Sequence, residues 1–303
     1  MRYLDVCAGI SASSVAWKSL GWEAAAYSEI EPAPRAVLEH RQGALPVGWD
    51  HRHAAGSNIT PLFGDFTQIE AHHVGPIDLL VGGTPCQDNS VGYSAGAGCA
   101  GPGLGGSRSG LAFKFARLAE RADARWFVWE NVPNVIAGKI APDFLRLVRT
   151  FADVGFGLAW RILDSRGFGG LVDQPRKRLI VVGHRGDATR AGAVLFEPEG
   201  LGRDRQAHPE AAPVLTARGG MALDDRTPTI LDRYGPRIAT PSEWERSMGF
   251  PAGYTAVPHR GKTMADGPRY KVLGNSMDVR VMRWIGERIA AVDAMSLEQR
   301  DAA

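Results

Sequence analysis

The chain has 303 residues, 22% of them charged, and a formal net charge of +2, which suits one large globular domain or two smaller ones. No apolar run is long enough to span a bilayer, and the N-terminus has no apolar signal core, so we expect a cytoplasmic protein that does not bind membranes. Cys7, Cys86 and Cys99 cannot form a closed disulfide set and lack zinc-ligand spacing, so we expect free thiols and no metal.

Short apolar runs alternate with helical patterns along the first part of the chain. Strands are predicted at 3–8, 22–28, 77–81, 125–129 and 179–182. Helices are predicted at 12–20, 32–40, 111–121 and 144–152. This alternation predicts an α/β fold with a doubly wound, mostly parallel sheet.

The pattern changes after residue 183. Residues 184–236 are rich in Gly, Pro, Asp and Arg and show little periodicity, which indicates a long insertion or a small second domain. Periodicity returns with a helix start at Pro241 and continues into an amphipathic helix over 279–292. We therefore divide the chain into a first domain (1–183), an inserted region (184–236) and a return to the first domain (237–303).

The first strand is followed by a turn at Gly9 and then by a helix. A helix that begins there offers free N–H groups to an anion or a carboxylate. The pattern G-x-G-x-x-G is absent, which argues against a nicotinamide enzyme. Glu29 ends the second strand, at a distance where an acidic residue commonly binds ribose. Asp65 can accept from an adenine amino group. The alternatives are an ordinary tight turn for Gly9 and helix or loop caps for the two acids.

Cys86 directly follows a buried strand, in the run Gly82-Gly83-Thr84-Pro85-Cys86-Gln87. This places Cys86 at the carboxyl edge of the sheet, where open α/β sheets carry their sites. The following residues, 88–108, are mostly Gly, Ser and Ala and predict a lid. The alternative is a structural cysteine beside a loop.

Glu130 follows the end of the next strand, and Arg176 and Arg178 alternate at the start of another. A thiol and a carboxyl at one sheet edge suit attack on cytosine C6 with protonation of N3, which makes C5 nucleophilic. The two guanidinium groups share a face and suit a phosphate or a polar base edge. A helix cap and a solvated basic strand end are the alternatives.

The order and spacing of these blocks resemble the cytosine-C5 DNA methyltransferases of bacterial or phage type, over nearly the whole chain outside 184–236. The blocks are Asp5 to Gly9, Tyr27 to Ile30, Gly64 to Phe66, Pro85 to Gln87, Glu130 to Val132, Gln174 to Arg178, Arg237 to Pro251 and Gly274 to Ser276. The resemblance implies a Rossmann-like methyltransferase fold in which 184–236 is a small inserted target-recognition domain.

The resemblance also implies the cofactor S-adenosyl-L-methionine, the product S-adenosyl-L-homocysteine and double-stranded DNA as substrate. The implied catalytic residues are Cys86 (nucleophile), Glu130, Arg176 and Arg178. The implied cofactor residues are Asp5, Cys7, Ala8, Gly9, Ile10, Ser11, Glu29, Ile30, Asp65, Phe66, Gly83, Pro85, Leu111, Asn275 and Ser276. The implied DNA contacts are Gln87, Ser90, Arg108, Gln174 and Arg218.

Two departures from the family pattern lie in the first turn. Cys7 stands where the family usually has Phe, and Ser11-Ala12 stand where it has Gly-Gly. The Phe normally stacks on the adenine, so the resemblance leaves two alternatives here: weaker cofactor affinity, or an adenine that is held differently.

The expected activity is methyl transfer to carbon 5 of a flipped cytosine through a covalent bond between Cys86 and C6. The alternatives are cytosine-C5 methylation of tRNA or other RNA, and a non-catalytic DNA-binding protein. We expect a monomer, and a cognate restriction endonuclease as a partner.

Overall fold

The computed structural model describes residues 1–85, 110–137, 141–169, 176–196, 229–232 and 235–301. Its centre is an eight-stranded sheet whose strands are β1 (Arg2–Val6), β2 (Glu23–Ser28), β3 (Leu45–Pro46), β4 (Pro61–Phe63), β5 (Leu79–Gly82), β6 (Trp126–Asn131), β7 (Phe156–Asp164) and β8 (Lys177–Arg185). Their order across the sheet is β3-β4-β2-β1-β5-β6-β8-β7. Strand β8 runs opposite to the other seven strands, so it is antiparallel to both of its neighbours, β6 and β7. The predicted doubly wound, mostly parallel sheet is confirmed.

Helices cover both faces of this sheet. They are α1 (Ala12–Trp17), α2 (Pro32–Gln42), α3 (Ala71–Val74), α4 (Leu111–Arg121), α5 (Ala141–Asp153), α6 (Ala188–Leu195), α7 (Pro241–Ser247), α8 (Asp266–Gly274) and α9 (Val279–Asp301). Two hairpins lie outside the sheet, β9 (Thr229–Asp232) with β10 (Gly235–Ile238), and β11 (Pro258–His259) with β12 (Lys262–Thr263). In the described part of the chain, no helix combines the length and apolar character needed to cross a membrane.

The predicted elements are present, most with boundaries shifted by a few residues. Helix α4 has the predicted bounds, whereas α9 extends well beyond residue 292. Strand β7 and helix α6 were not predicted. Helix α6 lies inside the range 184–236 and packs against β7, β8 and α9, so the first residues of that range are part of the sheet domain.

The core is divided by the sheet into two faces because successive side chains of a strand point in opposite directions. On β6, Trp126 and Val128 pack on one face, and Phe127 and Trp129 pack on the other. Phe127 stacks on Phe151 of α5, with ring centroids 4.2 Å apart. In the described part of the chain, both faces of the sheet are therefore packed against core side chains, which leaves the ends of the strands as the place for a site.

Close packing of β5 on β1 requires glycine at position 82. A Cβ atom on Gly82 would collide with the main-chain carbonyl oxygen of Val6. The residues that follow both strands are therefore drawn together at the carboxyl edge of the sheet.

Helix α9 contacts both α1 and the start of β6. Near its beginning, the Met282 carbonyl accepts a hydrogen bond of 2.7 Å from the indole Nε1 of Trp17 in α1. Farther along, the Asp293 carboxylate accepts from Trp126 Nε1 at 3.1 Å and from Arg125 Nη2 at 2.7 Å. Helix α9, at the end of the described chain, is thereby hydrogen-bonded to α1, near its beginning.

Candidate active site

Five predicted site residues follow strands that end at one edge of the sheet. Gly9 follows β1, Glu29 follows β2, Asp65 follows β4, Gly83 follows β5, and Glu130 lies near the end of β6. These strands are parallel, so their carboxyl ends share an edge. The structure thus brings together residues that are up to 121 positions apart in the chain.

Asp5 is the centre of a buried polar network beneath the first turn. Its side chain is 2% exposed and accepts hydrogen bonds from the hydroxyls of Ser11, at 2.7 Å, and Ser13. Ser11 caps α1 with a left-handed backbone (φ 52°), and Ser14 passes the network on to the Tyr27 hydroxyl at 2.8 Å. Burial raises the pKa of Asp5 to about 7, against the effect of the two serine hydroxyls.

Glu29 is held by main-chain amides. One carboxylate oxygen accepts from Gly9 N at 2.8 Å, and the other accepts from Ile30 N and Glu31 N, both at 2.8 Å. Burial raises the pKa of Glu29, while these amides act to lower it. The carboxyl therefore has a fixed orientation, with one acceptor position left for a ligand hydroxyl.

The space around this carboxyl suits a nucleoside cofactor. Gly9 has a φ of 55°, and no atom lies within 4 Å of where its Cβ would be. Ile30, next to Glu29, is 68% exposed although it is apolar. An open turn, a fixed carboxyl and an exposed apolar side chain are the features that a ribose and an adenine need. The residues present therefore fit S-adenosyl-L-methionine.

Other predicted cofactor residues contribute mainly to the framework. The side chains of Ile10 and Phe66 are buried in the core, at 0% and 3% exposure, so contact with a ligand would be through their main chain. Asp65 caps a short turn by accepting from Thr67 N at 2.9 Å. Cys7 has a left-handed backbone, and burial together with nearby carboxylates raises the pKa of its thiol. Ala8 donates its N–H to the Ser28 carbonyl at 3.1 Å.

Glu130 and Arg178 form an ion pair on the other half of the edge. The Arg178 Nε lies 2.9 Å from Glu130 Oε1, and both side chains are mostly buried. The antiparallel pairing of β6 with β8 brings these two residues together. A carboxyl held by a guanidinium group in this way has a fixed position, which a group that contacts a substrate needs.

Thr84 anchors the end of β5 beside this pair. Its hydroxyl accepts from Trp129 Nε1 at 3.0 Å, and its carbonyl accepts from Asn131 Nδ2 at 3.3 Å. Pro85 is the last described residue of this segment, and Cys86, the predicted nucleophile, lies outside the described residues. The chain is therefore fixed at Thr84, beside the end of β6 and two positions before Cys86.

A small cavity lies between the ion pair and the start of α9. Its lining includes Glu130, Arg176, Arg178 and Met277. A Cβ atom on Gly83 would lie 2.9 Å from Glu130 Oε2 and 3.3 Å from the Met277 methyl carbon. Glycine at 83 thus allows three separate segments to meet at this point.

Arg176 joins the segment Gly274–Ser276 to the same edge. Its guanidinium Nη2 donates to the Gly274 carbonyl at 3.0 Å and to the Ser276 carbonyl at 2.6 Å. Asn275 between them is exposed, and Leu111, at the start of α4, is half-buried. Arg176 thus contacts the last block of the chain, whereas Arg178 contacts Glu130.

The C-terminal part of the chain also lies beside the first turn. The Tyr254 hydroxyl donates to the Ile10 carbonyl at 3.0 Å, and Lys271 of α8 lies 3.5 Å from the Glu31 carboxylate. Residues that precede the block Gly274–Ser276 thus contact the segments that follow β1 and β2.

A family model for C-5 cytosine-specific DNA methylase matches residues 1–199. The chain belongs to this family. The expected family resemblance is therefore confirmed, and the match covers the cofactor turn, the Cys86 block, Glu130 and both arginines.

Curated relatives of this methylase are distant in sequence. It is 27% identical to the DNA N-6-adenine-methyltransferase of Escherichia phage P1, over 95% of the chain and 61% of that protein. It is 24% identical to the type II methyltransferase M2.BsuMI of Bacillus subtilis, over 96% of the chain and 75% of that protein. The chain thus spans less than two thirds of the phage protein.

The fold of the methylase also occurs in solved structures. A DNMT2 mutant from Spodoptera frugiperda superposes with a TM-score of 0.66 at 16% identity, covering 95% of this chain and 99% of that one. This similarity supports the Rossmann-like methyltransferase fold.

Several predicted residues lie outside the described part of the methylase. They are Cys86, Gln87, Ser90, Arg108, Gln174 and Arg218. Conversely, sequence reasoning assigned no role to Thr84 or Met277, although Thr84 directly precedes the block Pro85–Gln87 and Met277 directly follows the block Gly274–Ser276. Across the described ranges, no cluster of three or more His, Cys, Asp or Glu side chains is placed to hold a metal ion.

Proposed function

We propose that this methylase transfers a methyl group from S-adenosyl-L-methionine to carbon 5 of cytosine in double-stranded DNA, with Cys86 as the nucleophile. The observation that carries the proposal is the Glu130–Arg178 pair, 2.9 Å apart and next to Gly83, three positions before Cys86. A carboxyl and a thiol at one edge of a sheet match the two groups that activation of a cytosine ring requires.

The cytosine chemistry follows from these groups. The Cys86 thiolate adds to C6 while the Glu130 carboxyl, in its protonated form, gives its proton to N3, so that the ring electrons collect at C5. C5 then takes the methyl group, and S-adenosyl-L-homocysteine is left. A base removes the C5 proton, the C6–S bond breaks to return the thiolate, and N3 gives its proton back to Glu130. Arg178 keeps the Glu130 carboxyl directed at N3 and the exocyclic amine.

The bound cofactor supplies an electrophilic methyl group on a sulfonium centre. In the proposed complex, Glu29 accepts from the ribose hydroxyls, Ile30 lies against the adenine and Asp65 accepts from the adenine amino group. The turn from Cys7 to Ser11 would hold the rest of the molecule, together with Gly83, Pro85, Leu111, Asn275 and Ser276.

A cytosine in duplex DNA is stacked between its neighbours, so it must be flipped out to reach the edge of the sheet. We assign Gln87, Ser90, Arg108 and Gln174 to the DNA, and Arg218 to base contacts made by the region 184–236, where arginine suits guanine. A cognate restriction endonuclease as partner and a monomeric state belong to the same proposal.

Methylation of cytosine in RNA is the second candidate, because one branch of the cytosine-C5 methyltransferases acts on tRNA. Transfer to adenine is a third, because the phage P1 relative carries that name. A binding protein without turnover is the fourth.

One experiment separates these candidates. The protein is incubated with labelled S-adenosyl-L-methionine and either unmethylated duplex DNA or tRNA, and the nucleosides are analysed by mass spectrometry. We expect 5-methylcytosine in DNA, lost in Cys86→Ser and kept in Cys99→Ser, which removes a thiol to which we assign no role. N6-methyladenine, or label in tRNA alone, would redirect the proposal. Binding of cofactor without transfer to either nucleic acid would end it.

The covalent step has its own test. A DNA duplex with 5-fluorocytosine at the target position cannot lose a C5 proton, so the enzyme stays joined to the base after methyl transfer. We expect a protein–DNA adduct that survives denaturation in the wild type and is missing in Cys86→Ser. Methylation of normal DNA without any adduct on the fluorinated duplex would rule out the covalent route.

A further inference from the structure

Arg176 occupies a different environment from Arg178, although the two alternate on one short segment. The Arg176 residue is 3% exposed, and its Nη2 donates to two main-chain carbonyls, those of Gly274 and Ser276. Its own carbonyl accepts from Ser165 N at 3.1 Å, which fixes the main chain as well. Both ends of this residue are thus held by the protein.

The two carbonyls that Arg176 holds belong to the end of α8 and the residue before Met277. Hydrogen bonds from a guanidinium group to carbonyls near a helix end are favourable because the carbonyl dipoles point toward the positive charge. They are also stronger than bonds between neutral groups. Arg176 therefore sets the position of the segment Gly274–Ser276 relative to β8.

The chain continues from this segment directly into the cavity beside the Glu130–Arg178 pair. Met277 lines the cavity beside Glu130 and Arg178, and its methyl carbon lies close to Gly83. A displacement of Gly274–Ser276 would therefore shift Met277 against the ion pair. In the other direction, Asn275 and Ser276 are assigned to the cofactor.

We infer that Arg176 is a positioning residue that couples the cofactor segment Gly274–Ser276 to the Glu130–Arg178 pair, and that it does not contact the base. The inference rests on the proposed function, because it takes this segment as one wall of the cofactor pocket. It assigns different tasks to the two arginines: Arg176 acts on cofactor affinity, and Arg178 acts on the chemical step.

The test compares Arg176→Gln with Arg178→Gln. Binding of S-adenosyl-L-homocysteine without nucleic acid is measured by calorimetry, and kcat and the KM for S-adenosyl-L-methionine are measured with DNA. We expect Arg176→Gln to weaken cofactor binding about 10–100-fold, the effect of losing hydrogen bonds from a charged group. We expect Arg178→Gln to keep cofactor affinity and to lose kcat. Arg176→Lys, which can still donate to one carbonyl, should regain part of the affinity.

A loss of general stability is excluded by a matched variant. Val181→Ala removes core packing from β8, the strand that follows Arg176, on the face of the sheet opposite to Met277, so it lowers the melting temperature and should leave cofactor affinity unchanged. If Arg176→Gln does not fold, Arg176→Lys at two temperatures carries the same comparison.

Wild-type cofactor affinity in Arg176→Gln combined with a loss of kcat equal to that of Arg178→Gln would overturn the inference. So would an equal loss of affinity in Val181→Ala. Failure of the proposed function is a separate result: the wild type would then bind S-adenosyl-L-homocysteine but transfer no methyl group, and the affinity comparison would still be valid.

Discussion

The candidate site lies along one edge of the sheet, and we call this edge the active edge. Its two halves, at the ends of β1 and β2 and at the β6–β8 pair, hold their carboxyl groups in different ways. On the β1–β2 half, Asp5 and Glu29 are buried among neutral donors, and burial raises both pKa values. On the β6–β8 half, Glu130 is paired with Arg178, and farther along the chain Glu243 is paired with Arg237. One half therefore holds its carboxyl groups with neutral donors, and the other holds its carboxyl group with a guanidinium group.

The largest expected effect is on the charged half. Glu130→Gln removes the proton donor while keeping the size of the side chain, so we expect the single-turnover rate of methyl transfer to fall by about 10²–10⁴-fold. The matched control is Glu120→Gln on α4, whose exposed carboxylate pairs with Arg117 away from the site. Equal rates in wild type and Glu130→Gln would show that N3 is protonated by another group.

The next effect is on the neutral half. The folded-state pKa of Asp5 is raised from 3.8 to about 7, so the folded protein holds a proton that the unfolded chain releases. The contribution of protonated Asp5 to the free energy of unfolding is fully present below about pH 4, and it is lost as the pH rises to 7. Asp5→Asn should remove this loss and stabilise the protein at pH 8 by on the order of 2–4 kcal/mol.

The measurement for Asp5 is thermal or urea unfolding at pH 4 and pH 8. The mutant and the wild type should be nearly equal at pH 4 and differ at pH 8, because Asn can still accept from Ser11 and Ser13. Curves that stay parallel over this range would mean that Asp5 is ionised in the folded protein.

Glu243 should show the opposite dependence on pH. Its bidentate pair with Arg237 lowers its pKa from 4.5 to about 2, so stability from the pair is present above pH 4.5 and is lost as the pH falls toward 2. Glu243→Gln should cost about 1 kcal/mol at pH 7, because the pair is partly exposed. The cost should disappear in acid unfolding experiments at pH 2. A constant cost at all pH values would assign it to the helix cap with Thr240 instead.

The smallest effect concerns the first turn. Ser11→Gly relieves the left-handed backbone but removes the hydrogen bond to Asp5, so we expect a change in stability near zero. Ser11→Ala removes the bond and keeps the strain, so it should be less stable than Ser11→Gly by about 1 kcal/mol. Chemical unfolding of both variants gives the difference. If Ala and Gly are equal, the left-handed backbone at this position is not strained.

The spacing of apolar residues predicted those helices and strands that pack against the core with a single face. The pattern of Leu111–Arg121 predicts α4 because its apolar residues repeat at helical spacing and pack on the sheet. It did not predict β7, an edge strand with exposed Trp160 and Ile162, whose apolar residues are not confined to one face. Helix α6 was not predicted because residues 184–236 are rich in Gly, Pro, Asp and Arg and were interpreted as one irregular region. Asp187, which caps α6, is nevertheless a recognisable helix start signal.

Sequence order predicted which residues share the active edge, because parallel strands end on the same side. It did not distinguish the two arginines. The partners of Arg176 are 98 and 100 residues away along the chain, and local spacing carries no information about them. The same holds for Met277, whose role depends on close approach to Gly83.

The bond between Trp17 and Met282 has a consequence for synthesis. The two residues are 265 positions apart, so a ribosome adding about 5–20 residues per second takes roughly 13–53 s between them. During that interval the apolar surface around Trp17 lacks α9 as its cover. A chaperone that binds apolar segments of a nascent chain therefore has tens of seconds in which to act, and slow or interrupted translation lengthens the exposure.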